Sequence, residues 1–575
     1  MAPAPATTGR QVDDAADGMH APPAAATRSA ENRRGAARRL PGTAAWLRER
    51  AARGWPPAIA RRLGIDVRAL AAMRVAVAGI LLLDLATRLP HLRSLHTDAG
   101  ALPRSALPAS LALELAPHAW SGAVAWQAGL FALAAAAAVL LGIGRLSRTA
   151  AAASFLLLLS LHVRNPLVLN SGDVLLVRLL GWMVLLPIGA AWSLDARRTA
   201  AAAQTNRATP HVHAAAARDA GSRRSVVAGP ATAAILLQVV LVYAFNAGHK
   251  LAGGAWWHGD ALGLVLANPV LATALGAWLG GGPTSFLGRL WLLLLCASPL
   301  LVLSTGRFRL LLAAAFAAAH VTMGATLRLG VFPLVSLSAL LLFLPPGAWD
   351  RAQRVHGALP GLPMRLRPLS ARQPGNARGG GSRSLPPWRT PARHHPVEPR
   401  RQGLARLRPS GALARLGRAG AYLLLAALLL HAAAAAGLAP APDPLQDQLE
   451  RSGAPWAMFA RPATSATWIA VSAVSAGGAE ADAFTGAPAD LQRPQDLDAG
   501  LGMRWRKYLG HVAARPELAV PLAAYACTLE RPGGPPEQVR LHAVEQPLAP
   551  HAPSGPPKAT LLLAHGCTPS PLVGA

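Results

Sequence analysis

The sequence predicts an all-α polytopic membrane protein of about nine transmembrane helices, followed by a small α+β extracytoplasmic C-terminal domain. Three observations predict this fold class: a mean hydropathy of +0.31, a charged content of only 14%, and long apolar stretches that alternate with arginine-rich connectors. The net charge of +29 lies in these connectors and not on one soluble face, which argues against a nucleic-acid partner.

The apolar segments define the order of the domains. Residues 1–68 are rich in Ala, Pro and Arg with no apolar core before Ala69, so we predict a disordered cytoplasmic N-terminal tail. A transmembrane domain then covers 69–346, and a last transmembrane helix covers 417–438. The segments of membrane-spanning length are 69–88, 121–144, 147–164, 172–190, 230–248, 288–304, 308–326, 330–346 and 417–438.

The distribution of arginine predicts the direction of the chain. Connectors 145–148 and 191–229 are dense in Arg, whereas 165–171 and 251–287 contain neither Arg nor Lys. Because basic loops stay on the cytoplasmic side, we predict a multi-pass protein of the inner (cytoplasmic) membrane with its N-terminus inside and its C-terminus outside.

Two further regions complete the predicted organisation. The basic segment 347–416 is rich in Pro, Gly and Arg, so we predict a disordered cytoplasmic linker that is attracted to anionic lipid headgroups. The extracytoplasmic domain is predicted over 439–545, with a strand at Thr467–Val474 and a loose tail at 546–575. The three cysteines, Cys296, Cys527 and Cys567, predict no disulfide framework and contain no CxxC motif.

Lys250 is the first candidate catalytic residue. The chain has 56 basic residues, and its lysines are Lys250, Lys507 and Lys558, so a lysine at the end of an apolar span is unusual here. Lysine can act as a neutral base, which arginine cannot; a snorkelling anchor is the other interpretation. Tyr243 and Asn246 share its helix face at spacings i, i+3 and i+7, and the adjacent His249 either keeps the amine neutral or faces headgroups.

Ionisable and polar residues at membrane depth predict a polar cavity that opens outward. Asp84 and Arg178 can pair across two predicted spans, either at a functional site or as a structural ion pair. The histidines lack the spacing of a metal motif, so no metal is predicted. The cavity is predicted to include Asp84, His162, Arg164, Asn165, Asn170, Asp173, Arg178 and His320.

The hairpin His162-Val-Arg-Asn-Pro-Leu-Val-Leu-Asn-Ser-Gly-Asp173, which leads to Trp192-Ser-Leu-Asp195, resembles the bacterial horizontally transferred transmembrane (HTTM) domain proteins, relatives of vitamin K-dependent gamma-carboxylase. The resemblance runs from about 69 to 545, interrupted by the basic linker. Further matching segments are Arg74, Thr97–Arg104, Tyr243–Leu251, Thr326–Pro333, Trp456–Phe459 with Pro462, and Arg504-Trp-Arg-Lys-Tyr-Leu509.

This resemblance implies a cofactor and a role for Lys250. In the carboxylase relatives, a Lys followed by Leu at this helix end is the proposed base that deprotonates reduced vitamin K, so reduced vitamin K or another quinol is the implied cofactor. The family pattern also places an Asn-His pair after the hairpin, where this chain has Asn170-Ser171-Gly172. This departure argues against carboxylation itself, unless His162, His249 or His320 takes the place of the missing histidine.

Two functions are therefore expected. The first is a gamma-carboxylase-like enzyme that uses a quinol-type cofactor to modify a peptide or small substrate at the outer side of the membrane. The alternative is a non-catalytic membrane partner for maturation or export of a secreted peptide. A transporter is a third hypothesis, although no repeat with broken helices supports it.

Overall fold

The computed structural model describes residues 55–107, 109–205, 226–358, 411–435, 456–492, 494, 501–531 and 534–567. Most of the predicted N-terminal tail and of the basic linker therefore lies outside the described residues. Helices make up most of the described chain, and a small sheet follows them. The first half of the helical region contains α1 (Pro57–Leu63), α2 (Val67–Arg88), α3 (Leu92–His96), α4 (Leu111–Leu115), α5 (Pro117–Trp120), α6 (Val124–Ile143), α7 (Ser147–Arg164), α8 (Ser171–Leu185) and α9 (Leu194–Thr205).

A two-stranded antiparallel ladder, β1 (Ile65–Asp66) with β2 (Val226–Val227), joins the two halves of the helical region. The second half contains α10 (Pro230–Gly253), α11 (Ala255–His258), α12 (Ala261–Ala267), α13 (Ala274–Gly280), α14 (Thr284–Cys296), α15 (Leu300–Leu303), α16 (Gly306–Thr326), α17 (Phe332–Leu340), α18 (Pro346–Ala358) and α19 (Gly411–Ala435).

Several of these helices are long and apolar enough to span a membrane. Four qualify alone: the helical stretch Val67–His96, then α6, α10 and α16. Two bent pairs raise the number to six among the described residues: α13 with α14 at 107°, and Phe332–Phe343 with Pro346–Val355 at 104°. All nine predicted segments are helical wholly or in part. The count of nine spans nevertheless remains a prediction, because α8 has only 15 residues and α14 only 13.

Local sequence explains where the key helices begin and end. Asn170 and Asp173 form a capping box at the start of α8, so the polar end of the hairpin also fixes a helix N-terminus. The side chain of Asp66 accepts a hydrogen bond from the Arg68 backbone amide and caps α2. Gly144 ends α6 in the left-handed region, at φ 70°, where a residue with a side chain is strained.

The C-terminal domain is an antiparallel sheet covered by two helices. Its elements are β3 (Ser465–Val474), β4 (Glu480–Asp482), α20 (Gly502–Ala514), α21 (Ala519–Cys527), β5 (Gln538–Ala549), β6 (Ala552–Pro553) and β7 (Lys558–Gly566). Strand β5 pairs with β3 on one side, from Ser465↔Pro547 to Val474↔Gln538, and with β6 and β7 on the other. The predicted strand Thr467–Val474 lies within β3, whose Trp, Ile and Val residues favour a pleated, buried surface.

Several parts of the predicted organisation look different in the structure. The predicted domain boundary at 545 falls inside β5, and much of the predicted loose tail forms β6 and β7. Residues 57–63 and 65–66 of the predicted disordered tail form α1 and β1. In the predicted linker, residues 347–358 belong to α18 and residues 411–416 to α19. Cys527 and Cys567 form a disulfide, which the cysteine count did not predict because the pairing joins residues 40 positions apart.

Two hydrophobic cores position the candidate site. The larger core fills the helical bundle, with buried residues such as Leu70, Leu176 and Phe316. The second core belongs to the C-terminal domain around Trp505, Tyr508 and Val539, but it also includes Leu95 from α3 and Leu102 and Val168 from bundle connections. The C-terminal domain is therefore packed onto one end of the bundle, and the candidate site lies at that end.

Candidate functional site

The Lys250 amine is enclosed by backbone carbonyls and a tryptophan ring. Lys250 is 1% exposed near the end of α10. Its Nζ donates hydrogen bonds to the carbonyl oxygens of Met458 at 2.8 Å and Phe459 at 3.0 Å. It also lies 3.9 Å from the centroid of the Trp256 ring. An ammonium group has three N–H donors, and these three contacts occupy them.

The residues around Lys250 bind the same short stretch of chain, Trp456–Ala460, which we call the 456–460 segment. Asn246 donates to the Met458 carbonyl at 2.9 Å and to the Trp456 carbonyl at 3.2 Å. The Trp256 indole donates to the Phe459 carbonyl at 2.6 Å. The predicted face of α10 therefore exists, and it anchors the segment that leads into the C-terminal domain.

Tyr243 and His320 form a separate pair on the same side of the bundle. The Tyr243 hydroxyl lies 2.8 Å from His320 Nε2, and the Tyr243 ring stacks on Phe316 at 4.5 Å between centroids. Both residues are buried. His249 is half-buried, and its Nε2 has no hydrogen-bond partner in the described part of the chain. The structure thus brings together Tyr243 and His320, and it places Asn246 beside Lys250.

Asp84 and Asp173 belong to a buried ionic cluster that links the bundle to the C-terminal domain. Arg88 Nε binds Asp84 at 2.7 Å, and Arg88 Nη2 binds Asp173 at 2.8 Å. Arg504, from α20, binds both carboxylates, with a 2.8 Å contact from Nη2 to Asp173 Oδ1. Two arginines therefore neutralise two aspartates in a region that excludes water.

The Asp84 and Asp173 carboxylates stabilise the positive charge of Arg504 in its buried position. Burial lowers the pKa of Arg504, but the nearby carboxylates of Asp173 and Asp84 outweigh burial and raise that pKa above its ordinary value. Arg504 also donates to the Val168 carbonyl at 2.9 Å. Since these partners fix the guanidinium in one orientation, the cluster is suited to fixing the position of the C-terminal domain on the helical bundle.

The remaining residues of the predicted cavity have local structural partners. His162 Nε2 lies 3.8 Å from Asp173 at the edge of the ionic cluster. Arg164 donates to the Leu102 carbonyl at 3.1 Å, Asn165 donates to the Leu95 carbonyl at 2.7 Å, and Asn170 caps α8. These residues fix the hairpin and the loop after α2. They do not surround one common cavity with Lys250.

Arg178 lines a different space, a cavity of about 760 Å³. The walls come from α7, α8, α10 and α19, and they are mainly apolar, with Phe155, Leu241 and Leu428 among them. Arg178, Trp182 and Gln238 supply polar groups; the Trp182 indole donates to the Gln238 side chain, and the Arg178 guanidinium lies 5.9 Å from the Trp456 ring centroid. Trp456 therefore forms part of the cavity wall while its carbonyl binds Asn246.

Two differences from the predicted site have clear physical reasons. The Asp84–Arg178 pair is not formed; Asp84 binds Arg88, one helical turn away, and Arg504. Sequence reasoning missed Arg88, although its i, i+4 spacing from Asp84 is a usable signal. Arg504 was noticed within the Trp-Arg-Lys-Tyr stretch, but its partner Asp173 is 331 residues away in the sequence, which no local pattern shows.

Comparison with known proteins adds no relative to this description. No protein-family model, no curated protein and no solved structure matches the chain. In the described residues, no group of three or more His, Cys, Asp or Glu side chains is placed to hold a metal ion. The role of the site is therefore judged from its own geometry.

Proposed function

We propose that this chain is a multi-pass membrane protein that binds a lipophilic, quinol-type ligand and uses it to modify a peptide or small substrate at the outer side of the membrane. The observation that carries the proposal is the cavity of about 760 Å³ between α7, α8, α10 and α19. Its volume is in the range of small-molecule sites, and its apolar walls suit an isoprenoid or aromatic ring system. Arg178 and the Trp182–Gln238 pair offer polar contacts to a quinol head.

The location of Lys250 supports a chemical role beside this cavity. Gln238 lines the cavity, and Lys250 projects from α10 about 120° away around the helix. The 456–460 segment bridges these two faces, because the Trp456 side chain borders the cavity and the Met458 and Phe459 carbonyls bind the amine. In the HTTM and gamma-carboxylase-like interpretation, the Lys250 amine takes a proton from a quinol hydroxyl.

The proposed location is the inner membrane, with the C-terminal domain outside. The Cys527–Cys567 disulfide supports this side, because disulfides persist in oxidising compartments and are rare in the cytoplasm. Arginines near the opposite end of the bundle, including Arg145, Arg148 and Arg307, support contact with anionic lipid headgroups on the inner side.

A ligand-binding experiment tests the proposal. A side chain built at Gly181 would meet Phe155 at 3.4 Å, on the cavity wall, so Gly181→Leu should fill part of the cavity. We expect purified wild-type protein in nanodiscs to bind a short-chain ubiquinol, and Gly181→Leu to weaken that binding at least tenfold. Gly129→Leu is the matched control, because Gly129 is exposed on α6 and a Cβ added there meets no neighbouring group within 4 Å. Equal binding by all three proteins would exclude the cavity as the ligand site.

A non-catalytic role as a partner for a secreted peptide is the second candidate function. The enclosed Lys250 amine favours it, since all three N–H directions already have acceptors or an aromatic face. In that case Lys250 serves only to attach the C-terminal domain to α10. Substitution of Lys250 by arginine separates the two functions.

A further inference from the structure

The contacts of the Lys250 amine occupy its N–H groups and block access to it. The Met458 and Phe459 carbonyls can only accept hydrogen bonds, and the face of the Trp256 ring attracts a cation. A general base must instead present a free lone pair within about 2.6–3.2 Å of the heavy atom that carries the proton. With the 456–460 segment in place, Lys250 cannot reach a ligand.

The 456–460 segment is held mainly by side chains of α10 and α11. Asn246, Lys250 and Trp256 supply five hydrogen bonds to its carbonyls. Its own backbone contributes one, from the Ala460 amide to the Ala457 carbonyl at 2.9 Å. It belongs to no helix or strand, so it can move without breaking a ladder of backbone bonds.

Phe459 adds conformational strain at the centre of this segment. It has φ 53°, in the left-handed region that residues with side chains rarely adopt. The Phe459 carbonyl is also the acceptor shared by Lys250 and Trp256. Lys250 and Trp256 therefore stabilise an unfavourable backbone conformation at Phe459, and loss of either donor favours release of the segment.

We propose that the 456–460 segment is a removable cap on the Lys250 amine, and that a ligand in the cavity displaces it through Trp456. Trp456 is the residue of the segment that lines the cavity, and it stacks on Phe332 at 6.2 Å between ring centroids. A ligand that takes the place of the Trp456 ring moves the segment, and with it the Met458 and Phe459 carbonyls that bind the amine. The inference about the trigger rests on the proposed function; the inference about the cap does not.

Lysine labelling tests the cap directly, because the sequence contains Lys250 and only two other lysines, Lys507 and Lys558. Full-length protein in nanodiscs is treated with a small, membrane-permeable acetylating reagent, and the acetylation rate of each lysine is measured by mass spectrometry. Lys558, which is exposed on β7, serves as the internal reference. We expect wild-type Lys250 to react at least tenfold more slowly than Lys558.

Variants of the two neighbouring donors should open the cap. Asn246→Leu removes the contacts with the Trp456 and Met458 carbonyls, and Trp256→Phe removes the bond to the Phe459 carbonyl while keeping an aromatic face. Each should raise Lys250 labelling at least threefold without changing that of Lys558. Trp278→Phe is the matched control, because Trp278 is 75% exposed and supplies none of the hydrogen bonds to the 456–460 segment described above.

The outcomes test the cap and its opening by a ligand separately. Wild-type Lys250 that reacts as fast as Lys558, or variants that leave its rate unchanged, would overturn the cap. A short-chain ubiquinol should raise Lys250 labelling in the wild type. If the variants open the cap and the quinol binds without this effect, the ligand-driven trigger is wrong; if the quinol does not bind at all, the proposed function fails and the cap stands.

Discussion

Arg504, on the first helix of the C-terminal domain, binds Asp173, at the start of α8 in the helical bundle, through both of its terminal nitrogens. The two residues are 331 positions apart, and both are buried. Asp84 and Arg88 complete the cluster around them. The C-terminal domain is thus attached to the bundle by a buried, charge-balanced contact as well as by the apolar core that they share.

Loss of Arg504 should be strongly destabilising. Arg504→Leu leaves Asp84 and Asp173 with Arg88 as their remaining partner in the cluster, and removal of one member of a buried ion pair typically costs about 3–5 kcal/mol. We expect a clear fall in the thermal unfolding midpoint in detergent, and earlier proteolysis between the bundle and the C-terminal domain. The matched control is Arg540→Leu, which removes an exposed ion pair with Glu480 and should cost about 1 kcal/mol or less. Equal effects of the two substitutions would contradict a structural role for the cluster.

The Cys527–Cys567 disulfide should be present in protein isolated without reductant. It joins the end of α21 to the residue after β7, so its removal frees the edge of the sheet. Replacing both cysteines by serine should reduce stability by about 2–5 kcal/mol. Thiol titration under denaturing conditions should find one free cysteine, Cys296, before reduction and three after it. Three free thiols before reduction would argue against an oxidising location for this domain.

Acid should lower the stability of the folded protein through His118, on α5. Burial, with the positive charges of Arg88 and Arg164, lowers the pKa of His118 to about 4. In the unfolded chain the His118 imidazole binds a proton as the pH falls below about 6.5, whereas in the folded chain it stays neutral until about pH 4. The free energy of unfolding is therefore highest above about pH 6.5 and decreases as the pH falls toward about 4. His118→Gln should flatten the dependence of the unfolding midpoint on pH between 7 and 4.5. His258→Gln, at an exposed site, should leave the slope unchanged, and equal slopes for all three proteins would exclude His118 as the cause.

Local sequence patterns predicted much of the fold because they report local physics. The apolar segments are helical wholly or in part, the face containing Tyr243, Asn246 and Lys250 exists, and Thr467–Val474 lies in a strand. The candidate site was only partly predictable, because its decisive contacts join distant residues. Neither the Arg504–Asp173 pair nor the Met458 carbonyl bound by Lys250 has a signal in the local sequence.

The bent helices show a second limit. A hydropathy pattern gives the length of an apolar stretch but not the places where its helix breaks. It therefore predicts one continuous span over 288–304. In the structure α14 ends at Cys296 and α15 begins at Leu300, and α14 is bent by 107° relative to α13. Both breaks coincide with helix-breaking residues that a hydropathy average does not weigh: Gly281-Gly282-Pro283 separates α13 from α14, and Ser298-Pro299 precedes α15.

Substitution of Lys250 by arginine distinguishes the two proposed functions. Arginine keeps a positive charge that can bind the Met458 and Phe459 carbonyls and lie against Trp256, but it does not give up its proton at working pH. If Lys250 is a base, Lys250→Arg should abolish the rescue of a deletion phenotype while membrane level and unfolding midpoint stay close to wild type. Lys250→Gln, which keeps hydrogen-bond donors without the charge, should abolish rescue equally. Full rescue by the arginine variant, with loss only for glutamine, would show that the amine acts as a cationic anchor for the 456–460 segment and would leave the non-catalytic partner as the function.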